Sequence, residues 1–442
     1  MKQMRMNTKP NVVLSTSHDT RRYLHCYGVD SVHSPNLDRI AADGVRFTRF
    51  FATGAVCSPA RAAMMSGLYP QRNGVIGLVH EPWLWAYKPG IRHLSHAMRD
   101  AGYHTVMFHH EHEALDISTL GFNDYRAREP VYPQGAMPDP YDHLTCEEVA
   151  ADFVSFLQNR SRTDPPFYAQ IGFFETHAPF DFGGSEPDTS AGLEVPGHLA
   201  NHPDKLAALA TFQGAIRRMD AAIGTMMDAL KAAGMADNTI FVYTTDHGIS
   251  FPKAKGTLYD SGTGVALIVR WPAGGLKGGR LCKSLLSNVD LFSTILELAG
   301  TPVPDRLDGC SIAGDLREGR EPEGRDAVFS EMSSLAGTRE SRSVRTDRFR
   351  LIRNFMPSRL SELGRHARHR TCPMVQLFDL PRDPGEYCNV AADPAYAEVK
   401  AGLERRLYAW LEEVGDPVLN GPVQPPYYVQ AMADFRASAH GG

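Results

Sequence analysis

Residues 57–75 read CSPARAAMMSGLYPQRNGV, and this stretch has the pattern of a short, capped helix. Ser58 can act as the N-cap, with Pro59 as the first helical residue, because an N–H group is unpaired at that position in any case. Gly67 can end the helix, because glycine readily adopts the left-handed conformation after a last turn. The stretch therefore predicts a helix over 59–66.

Cys57 and Arg61 lie at the start of this predicted helix. Free N–H groups and the helix dipole favour an anion at such a position. Arg61 adds a planar, permanently positive group over the first turn. One interpretation is an anion site with Cys57 as its reactive residue. The other is a buried cysteine beside an ordinary capped helix, since short motifs also occur by chance.

Outward from this helix, short apolar runs alternate with helical patterns through the first three quarters of the chain. The predicted strands are 11–16, 45–51, 104–108, 167–174, 239–245 and 265–271. The predicted helices are 35–44, 91–101, 146–159, 205–233 and 288–299. Such alternation predicts an α/β fold with a mixed, mostly parallel sheet between helices. Sheets of this kind bind their ligands at the carboxyl ends of the strands.

After residue 326 the pattern changes to closely spaced β-like runs, followed by an amphipathic helix over 395–414. These runs, at 343–344, 349–352 and 375–380, predict a small antiparallel sheet with the helix packed on it. We expect three parts: a catalytic α/β domain at 1–325, a C-terminal subdomain at 326–415, and an extended Pro-rich tail at 416–442 that contacts another subunit. Two Pro- and Gly-rich stretches, 129–142 and 178–204, are predicted to be lids.

The composition excludes several classes of protein. Of the 442 residues, 43% are hydrophobic and 22% charged, and the net charge of −5 argues against a general nucleic-acid binder. The sequence contains no apolar run of the roughly 20 residues that cross a bilayer, and no signal-peptide core near its start, so we expect a cytoplasmic protein without a membrane partner. The seven cysteines are scattered without a CxxC pair, which argues against a disulfide framework or a zinc ribbon.

The segment Cys57-x-Pro59-x-Arg61 resembles the signature of type I sulfatases, members of the alkaline-phosphatase-like superfamily whose cysteine is oxidised to formylglycine. The resemblance extends in order along the chain, through PNVVL and a polar pair, Ser34-Pro35-Asn36-Leu37-Asp38, Thr245-Asp246-His247-Gly248, and Leu377-Phe378-Asp379-Leu380 with Asp383-Pro384, Glu386 and Asn389. The loop from Gly248 to Thr263 is most similar to N-sulfoglucosamine sulfohydrolases, the heparan sulfamidases. The resemblance implies the sulfatase fold and hydrolysis of a sulfate ester or N-sulfate.

The resemblance also implies a nucleophile and two partners. The hydrated aldehyde of formylglycine carries two hydroxyls on one carbon, one to attack sulfur and one to expel sulfate afterwards. A divalent cation lowers the pKa of the attacking hydroxyl and neutralises sulfate oxygens. The expected partners are a small-molecule or saccharide sulfate and a formylglycine-generating maturation enzyme. We also expect a homo-oligomer.

The cation ligands implied by the resemblance are Asp19 on the first strand end, Asp246 and His247 on the late one, and residue 57. The family usually has Asp-Asp where this sequence has His18-Asp19, so His18 is a ligand, a neighbour of one, or a structural residue. We expect one ion from the set Mn²⁺, Ca²⁺, Mg²⁺ and Zn²⁺, with Mn²⁺ or Ca²⁺ preferred. If both imidazoles bind, the mixed ligand set favours Mn²⁺, Zn²⁺ or Fe²⁺ over Ca²⁺.

The remaining catalytic residues implied by the resemblance surround the sulfate. His110 stands where the family often has a lysine, and His112 matches the histidine that holds a formylglycine hydroxyl. His177 matches the residue that protonates the leaving group. Lys255 matches a cation that grips the sulfate together with Arg61. Taken separately, the histidines at 109–112 are typical of a surface loop and Lys255 of a solvated side chain.

Two other functions remain open on the sequence. A phosphonate monoester hydrolase or phosphodiesterase of the same superfamily uses the same nucleophile, and the departures at His18 and His110 weaken the purely sulfatase pattern. A carbohydrate-binding or sulfate-sensing relic of the fold is the non-enzymatic alternative. It would keep Cys57 unmodified and bind no metal.

Overall fold

The computed structural model describes residues 9–80, 82–126, 143–161, 163–199, 202–333, 340–356 and 373–440. The predicted lid at 129–142 and Cys372 therefore lie outside the described residues. The second predicted lid is described over 178–199 and 202–204, where it is irregular apart from one short 3₁₀ turn and the start of a long helix. In the part of the chain that is described, no helix has both the length and the apolar character needed to cross a membrane.

The described chain forms thirteen strands and eleven α-helices. The strands are β1 Asn11–Ser17, β2 Val45–Phe51, β3 His104–His109, β4 Asp124–Arg126, β5 Phe167–Phe173, β6 Thr239–Thr245, β7 Gly264–Arg270, β8 Arg280–Cys282, β9 Leu286–Ser287, β10 Val328–Ser333, β11 Glu340–Arg345, β12 Phe349–Asn354 and β13 Val375–Asp379. The helices are α1 Pro35–Asp43, α2 Cys57–Ser66, α3 Pro70–Asn73, α4 Leu94–Asp100, α5 Cys146–Gln158, α6 Pro203–Ala232, α7 Asp260–Thr263, α8 Asp290–Leu298, α9 Ala313–Glu318, α10 Ala397–Val414 and α11 Pro426–His440.

The large sheet has the strand order β4-β3-β5-β1-β6-β7-β2-β8, with β9 beside β2. Its central strand, β1, is parallel to both neighbours, and Leu14 lies between Gln170 and Val242. Strand β7 is antiparallel to β6 and β2, because only a loop and one short helix precede it and no crossover helix returns the chain. The predicted mixed, mostly parallel sheet is confirmed.

Helices cover both faces of this sheet, as the alternation of side chains along β1 requires. Val13 packs with apolar residues of α5 and α6 on one face. Val12 and Leu14 pack with residues of α2 and α8 on the other. Because all three side chains are fully buried, β1 has no solvent-exposed face at this level and can only be a central strand.

The second sheet is antiparallel, with the order β10-β11-β12-β13, and confirms the predicted small sheet. Helix α10 packs on it through Leu403, Leu407 and Trp410, which share one core cluster with Val344 and Leu351. Strand β10 lies just after the predicted boundary at residue 325. The limits of the three predicted parts remain predictions.

One buried arginine joins the two sheets. Arg350 of β12 donates from Nη1 to the Leu258 carbonyl at 2.7 Å and to Thr263 Oγ1 at 3.1 Å. Its Nε lies 2.6 Å from Glu386 Oε1. The small sheet thereby supports the loop between β6 and β7.

Two local predictions differ from the structure. Helix α2 begins at Cys57 rather than Pro59; its N-cap is the extended residue Val56, and Ser58 Oγ instead accepts a hydrogen bond from the Val79 N–H. The tail is not extended throughout, since residues 426–440 form α11. After two prolines, which suit a first helical turn, this segment has no further proline or glycine to interrupt a helix.

Candidate active site

Seven of the ten predicted site residues follow the carboxyl ends of four neighbouring strands. His18 and Asp19 follow β1, and Asp246 and His247 follow β6. His110 and His112 come after β3, and His177 after β5, which lies between β3 and β1. Side chains far apart in the sequence therefore meet at one edge of the sheet.

Close packing of the backbone fixes these loops. Gly172 of β5 lies so near the His110 carbonyl that a Cβ atom there would be 1.8 Å from its oxygen. Thr20 Oγ1 lies within hydrogen-bond distance of both the His18 carbonyl, at 2.9 Å, and Thr176 Oγ1, at 3.1 Å, which joins the ends of β1 and β5. Asp19 and His112 both have positive φ, at 49° and 101°, a strained backbone conformation that recurs at functional sites.

Five buried residues form the centre of the site. One potential ligand atom from each lies within 4.8 Å of all the others; the residues are His18, Asp19, Cys57, Asp246 and His247. Nδ1 of His18 lies 2.8 Å from Asp19 Oδ1 and 3.2 Å from Asp246 Oδ2. These are the residues that the sequence predicts as metal ligands, and the structure brings all of them together.

The donor set fits a divalent cation. His247 donates from Nδ1 to the Gly248 carbonyl at 3.0 Å, which leaves Nε2 with the lone pair. That Nε2 is buried, makes no hydrogen bond, and lies 3.2 Å from Asp19 Oδ1. An oriented imidazole beside two buried carboxylates is a common arrangement of metal ligands.

Electrostatics keep both carboxylates ionised. Burial alone would raise the pKa of Asp19, but Lys255 and His18 hold it well below its ordinary value. The pKa of Asp246 is also lowered, against its burial, by His18, His247 and Arg61. Burial would lower the pKa of His18, yet Asp246, Cys57 and Asp19 raise it to about 9. Both carboxylates are therefore available in their charged form as ligands for a cation.

Cys57 occupies the first turn of α2, with only 4% of its surface exposed. Gly54 allows the preceding chain to pass close to the helix, because a Cβ there would lie 2.9 Å from the Pro59 Cβ. Burial opposes ionisation of the thiol, but Lys255 and His18 lower the Cys57 pKa to about 5. The position therefore stabilises an anionic atom.

Two permanent cations flank this position. Arg61, one turn further along α2, donates from Nε to Asp246 Oδ2 at 3.1 Å, and its buried Nη2 has no hydrogen-bond partner. Lys255 Nζ lies 2.7 Å from Asp19 Oδ2. The Lys255 loop reaches Cys57 because the Gly256 N–H donates to the Ala55 carbonyl at 2.8 Å.

Three further histidines face the same centre. The ring centroids of His177 and His110 lie 4.6 Å and 5.0 Å from that of His18, and the ring of His112 lies at 6.2 Å. His177 donates from Nδ1 to the Ala178 carbonyl at 2.6 Å. Burial, followed by neighbouring positive charges, holds the pKa values of all three well below the ordinary value. They are therefore neutral imidazoles around the site.

Three polar residues near the site were not predicted. His80 stacks on His112 with a centroid distance of 5.1 Å, and His143 stacks on Phe174 at 3.8 Å. Glu113 is fully buried near Arg61, and burial together with Glu111 raises its pKa. Glu111 and Glu113 alternate with His110 and His112, and this pattern could have identified Glu113 from the sequence. His80 and His143 belong to no local sequence motif.

The chain is similar to known proteins over most of its length. Residues 10–301 match the family model described as Sulfatase, and residues 247–413 match the C-terminal model of N-sulphoglucosamine sulphohydrolase. An ulvan-active sulfatase of Formosa agariphila is 28% identical over 438 residues, which cover 94% of this chain and 82% of that protein. The N-sulphoglucosamine sulphohydrolase of Homo sapiens is 26% identical, with 93% of this chain and 92% of that protein covered.

Solved structures share the fold over most of the chain. The phosphonate monoester hydrolase of Agrobacterium radiobacter has a TM-score of 0.70 and 25% identity, covering 92% of this chain and 96% of that one. A structure in complex with its substrate D-glucosamine-2-N,6-O-disulfate has a TM-score of 0.73 and 19% identity, covering 92% and 99%. With the family model matching two thirds of its length, the chain belongs to the sulfatase family of the alkaline-phosphatase-like superfamily and is a hydrolase of sulfate esters or N-sulfates.

Proposed function

We propose that this protein removes a sulfate group from a saccharide, with residue 57 in its formylglycine form as the nucleophile. The observation that carries the proposal is the convergence of Cys57, Asp19, Asp246 and His247 within 4.8 Å. The saccharide is supported by the relatives, whose names specify ulvan and N-sulphoglucosamine, and by the fold shared with a glucosamine disulfate complex.

Asp19, Asp246 and His247 would hold the divalent cation beside residue 57. When bound, such an ion lowers the pKa of a hydroxyl and neutralises the charge of sulfate oxygens. A formylglycine hydrate at position 57 supplies one hydroxyl for attack on sulfur and a second for the release of sulfate. Two carboxylates and one imidazole suit Mn²⁺ and remain compatible with Ca²⁺.

His18 is best placed beside this ion rather than on it. Its Nδ1 faces oxygens of both Asp19 and Asp246, so the Nδ1 proton can interact with both carboxylates. A ring held in this way points Nε2 away from the two carboxylates that would bind the ion. We therefore assign His18 an orienting role at the cation site.

Arg61 and Lys255 would bind the sulfate oxygens. Arg61 keeps an unpartnered Nη2 after its contact with Asp246, and Lys255 has two N–H bonds left after its contact with Asp19. Both side chains are anchored to carboxylates of the site, so little reorganisation is needed when an anion binds.

His177 would protonate the leaving oxygen or nitrogen through Nε2. The Ala178 carbonyl fixes the proton of Nδ1, so Nε2 is the atom available to the substrate. The neutral ring must first take up a proton, which the negative charge of a bound sulfate favours. His112 would hold the nucleophile, and His110 would face the sulfate at the position where the sequence resemblance implies a lysine.

We also propose that the protein is a cytoplasmic homo-oligomer that contacts its partner through α11. This helix exposes Tyr427, Val429 and Phe435 by 55%, 57% and 66%. A single helix of this length is marginal in water unless its apolar residues pack against something. In the described residues Cys310 and Cys388 are exposed and unpaired, which suits a reducing compartment. Truncation after Gly421 should reduce the number of subunits in the assembly, as measured by light scattering. An unchanged number of subunits would exclude this contact.

The proposal is tested by comparing kcat/KM for an aryl sulfate, N-sulfoglucosamine and a phenylphosphonate monoester. Residue 57 is first checked by peptide mass. A lead of about 100-fold for either sulfate, near 2.7 kcal/mol, supports the proposal, and the better of the two identifies the bond. A lead for the phosphonate would favour the alternative, which the fold shared with the phosphonate hydrolase and the His110 substitution support.

A further inference from the structure

Three imidazoles converge beside the proposed cation site. One ring nitrogen from each of His18, His110 and His112 lies within 4.8 Å of the other two. The ring centroids of His18 and His110 are 5.0 Å apart, those of His110 and His112 are 5.5 Å apart, and those of His18 and His112 are 6.2 Å apart.

These separations resemble those around a metal ion. Three imidazoles on one tetrahedral ion, with metal–nitrogen bonds of about 2.0–2.1 Å, have ring centroids roughly 5 Å apart. Two of the three observed separations lie within half an ångström of that value. A small rotation of His112 toward the other two rings would bring the third closer to it.

Each of the three rings has a nitrogen available to an ion. Nε2 of His110 and Nδ1 of His112 are buried and make no hydrogen bond. His18 uses Nδ1 for the oxygens of Asp19 and Asp246, so Nε2 is the atom that an ion would bind in place of a proton. A carboxylate behind a histidine fixes the ring and makes its outer nitrogen a better metal ligand.

We propose that His18, His110 and His112 form a second divalent-cation site, of the kind that binds Zn²⁺ through three histidines. The inference rests on the proposed assignment of the first ion to Asp19, Asp246 and His247. Once the ion has displaced the second proton of His18, three imidazole ligands leave the full charge of the ion to attract sulfate oxygens.

The rival interpretation is that the same three imidazoles donate hydrogen bonds directly to the sulfate without a metal. The two interpretations differ in how much metal the protein binds. Full-length protein is therefore freed of metal with a chelator and dialysed against Zn²⁺ alone. Bound zinc is then measured by mass spectrometry, and the experiment is repeated with Co²⁺ to record its visible absorption.

Four variants separate the two sites. His110→Lys removes one ligand and provides an ammonium group, and His112→Gln removes another if the first variant folds poorly. Asp246→Asn removes a ligand of the first ion only, since Asp19 still orients His18. His143→Phe is the matched control, because this ring lies 5.4 Å from that of His110 and outside the three-histidine group.

We expect His110→Lys and His112→Gln to bind one equivalent of Zn²⁺ less than the unmodified sequence and the His143→Phe control. Asp246→Asn should keep the cobalt absorption that His110→Lys loses. Equal zinc content in His110→Lys and the control would overturn the inference, as would loss of all bound metal in Asp246→Asn. If Asp246→Asn matches the control while His110→Lys loses one equivalent, the second site stands and the first assignment fails.

Discussion

The Nζ atom of Lys255 lies 2.7 Å from Oδ2 of Asp19, although 236 residues separate them in the sequence. Asp19 is fully buried, and this contact is one of the charges that keep it ionised. The pair links the loop after β6 to the end of β1, directly over Cys57. Lys255 thus stabilises a carboxylate, and we expect it also to present charge to a bound anion.

Lys255→Met should reduce kcat/KM for the better sulfate substrate by about 10²–10³-fold, since it removes one preorganised cation from the transition state. Lys253→Met is the matched control two residues earlier. Lys253 donates to the carbonyls of Gly385 and Glu386 and lies 4.1 Å from the Tyr387 ring centroid, away from the site. Steady-state kinetics on both proteins decide the point. Equal losses in the two variants would assign Lys255 a purely structural role.

Cys57→Ala should leave the fold intact and reduce turnover by at least about 10³-fold, because a methyl group cannot act as a nucleophile. The side chain is small and its neighbours are polar, so the melting temperature should change little. Turnover and thermal unfolding are measured on the same preparation. Substantial residual turnover in this variant would exclude residue 57 as the nucleophile.

Removal of metal should abolish turnover and lower the melting temperature. A bound cation would contact Asp19 and Asp246 directly and so add to the stabilisation that His18, His247, Lys255 and Arg61 give these carboxylates. An ion present at 100 times its dissociation constant contributes about 2.7 kcal/mol to stability. Chelation followed by addition of Mn²⁺ or Ca²⁺ is monitored by calorimetry and by turnover. The Asp246→Asn variant should respond much less to the added ion.

A second buried charge cluster lies on the small sheet. Arg342 forms a two-bonded ion pair with Asp416, with distances of 2.5 and 2.8 Å. Its Nη1 also lies 3.8 Å from Glu331 and 3.6 Å from Glu340. Burial, opposed by Arg342, raises the pKa of Glu331 to about 8 and that of Glu340 to about 7.

These raised values predict a loss of stability with increasing pH. Because the folded state binds protons more tightly than the unfolded state, the contribution is complete below pH 4.5 and is lost as the pH rises through 7 and 8. Glu331→Gln should remove on the order of 2 kcal/mol of this pH dependence between pH 5 and 8. Urea unfolding at several pH values measures it. Exposed Glu412→Gln should behave like the unmodified sequence, and an identical pH profile for Glu331→Gln would contradict the prediction.

Arg350→Met should destabilise the protein by about 3–5 kcal/mol, because it leaves buried Glu386 without its charge partner. It also removes the donors that hold the Leu258 carbonyl and Thr263, so kcat/KM should fall through the loop that carries Lys255. Arg348→Met, on the exposed side chain just before β12, should change stability much less. Denaturant unfolding and kinetics on both variants test whether the small sheet supports the active site.

Nine of the thirteen described strands, most helices and the convergence of the site could be predicted from the sequence, whereas β4, β8, β9 and β10 were not predicted. The run at 239–245 has apolar side chains at its centre that point to both faces, which is typical of a central strand. The polar pair that follows it must therefore lie at the carboxyl end of the sheet. The antiparallel direction of β7 could also have been predicted from the sequence. No helical pattern lies between residues 245 and 265, and a parallel strand needs a long crossover connection, usually a helix.

Other features depend on contacts that leave no local pattern. His80 reaches His112 only because α2 and α3 carry the chain back across the sheet, and His143 meets Phe174 through the packing of α5. Val56 replaces Ser58 as the cap of α2 because the Ser58 hydroxyl bonds to the Val79 N–H, a tertiary contact. The roles assigned to the site residues remain predictions that the variants above test.

The burial of Cys57 has a consequence for protein synthesis. About 190 residues follow Cys57 before β6 is complete and the strands over its helix can pair. At roughly 5–20 residues per second, translation of that stretch takes on the order of 10–40 s. A modifying enzyme that acted during this interval would meet an accessible cysteine on a nascent chain. Once folding has buried Cys57 at the start of α2, a molecule that had escaped modification would keep its thiol.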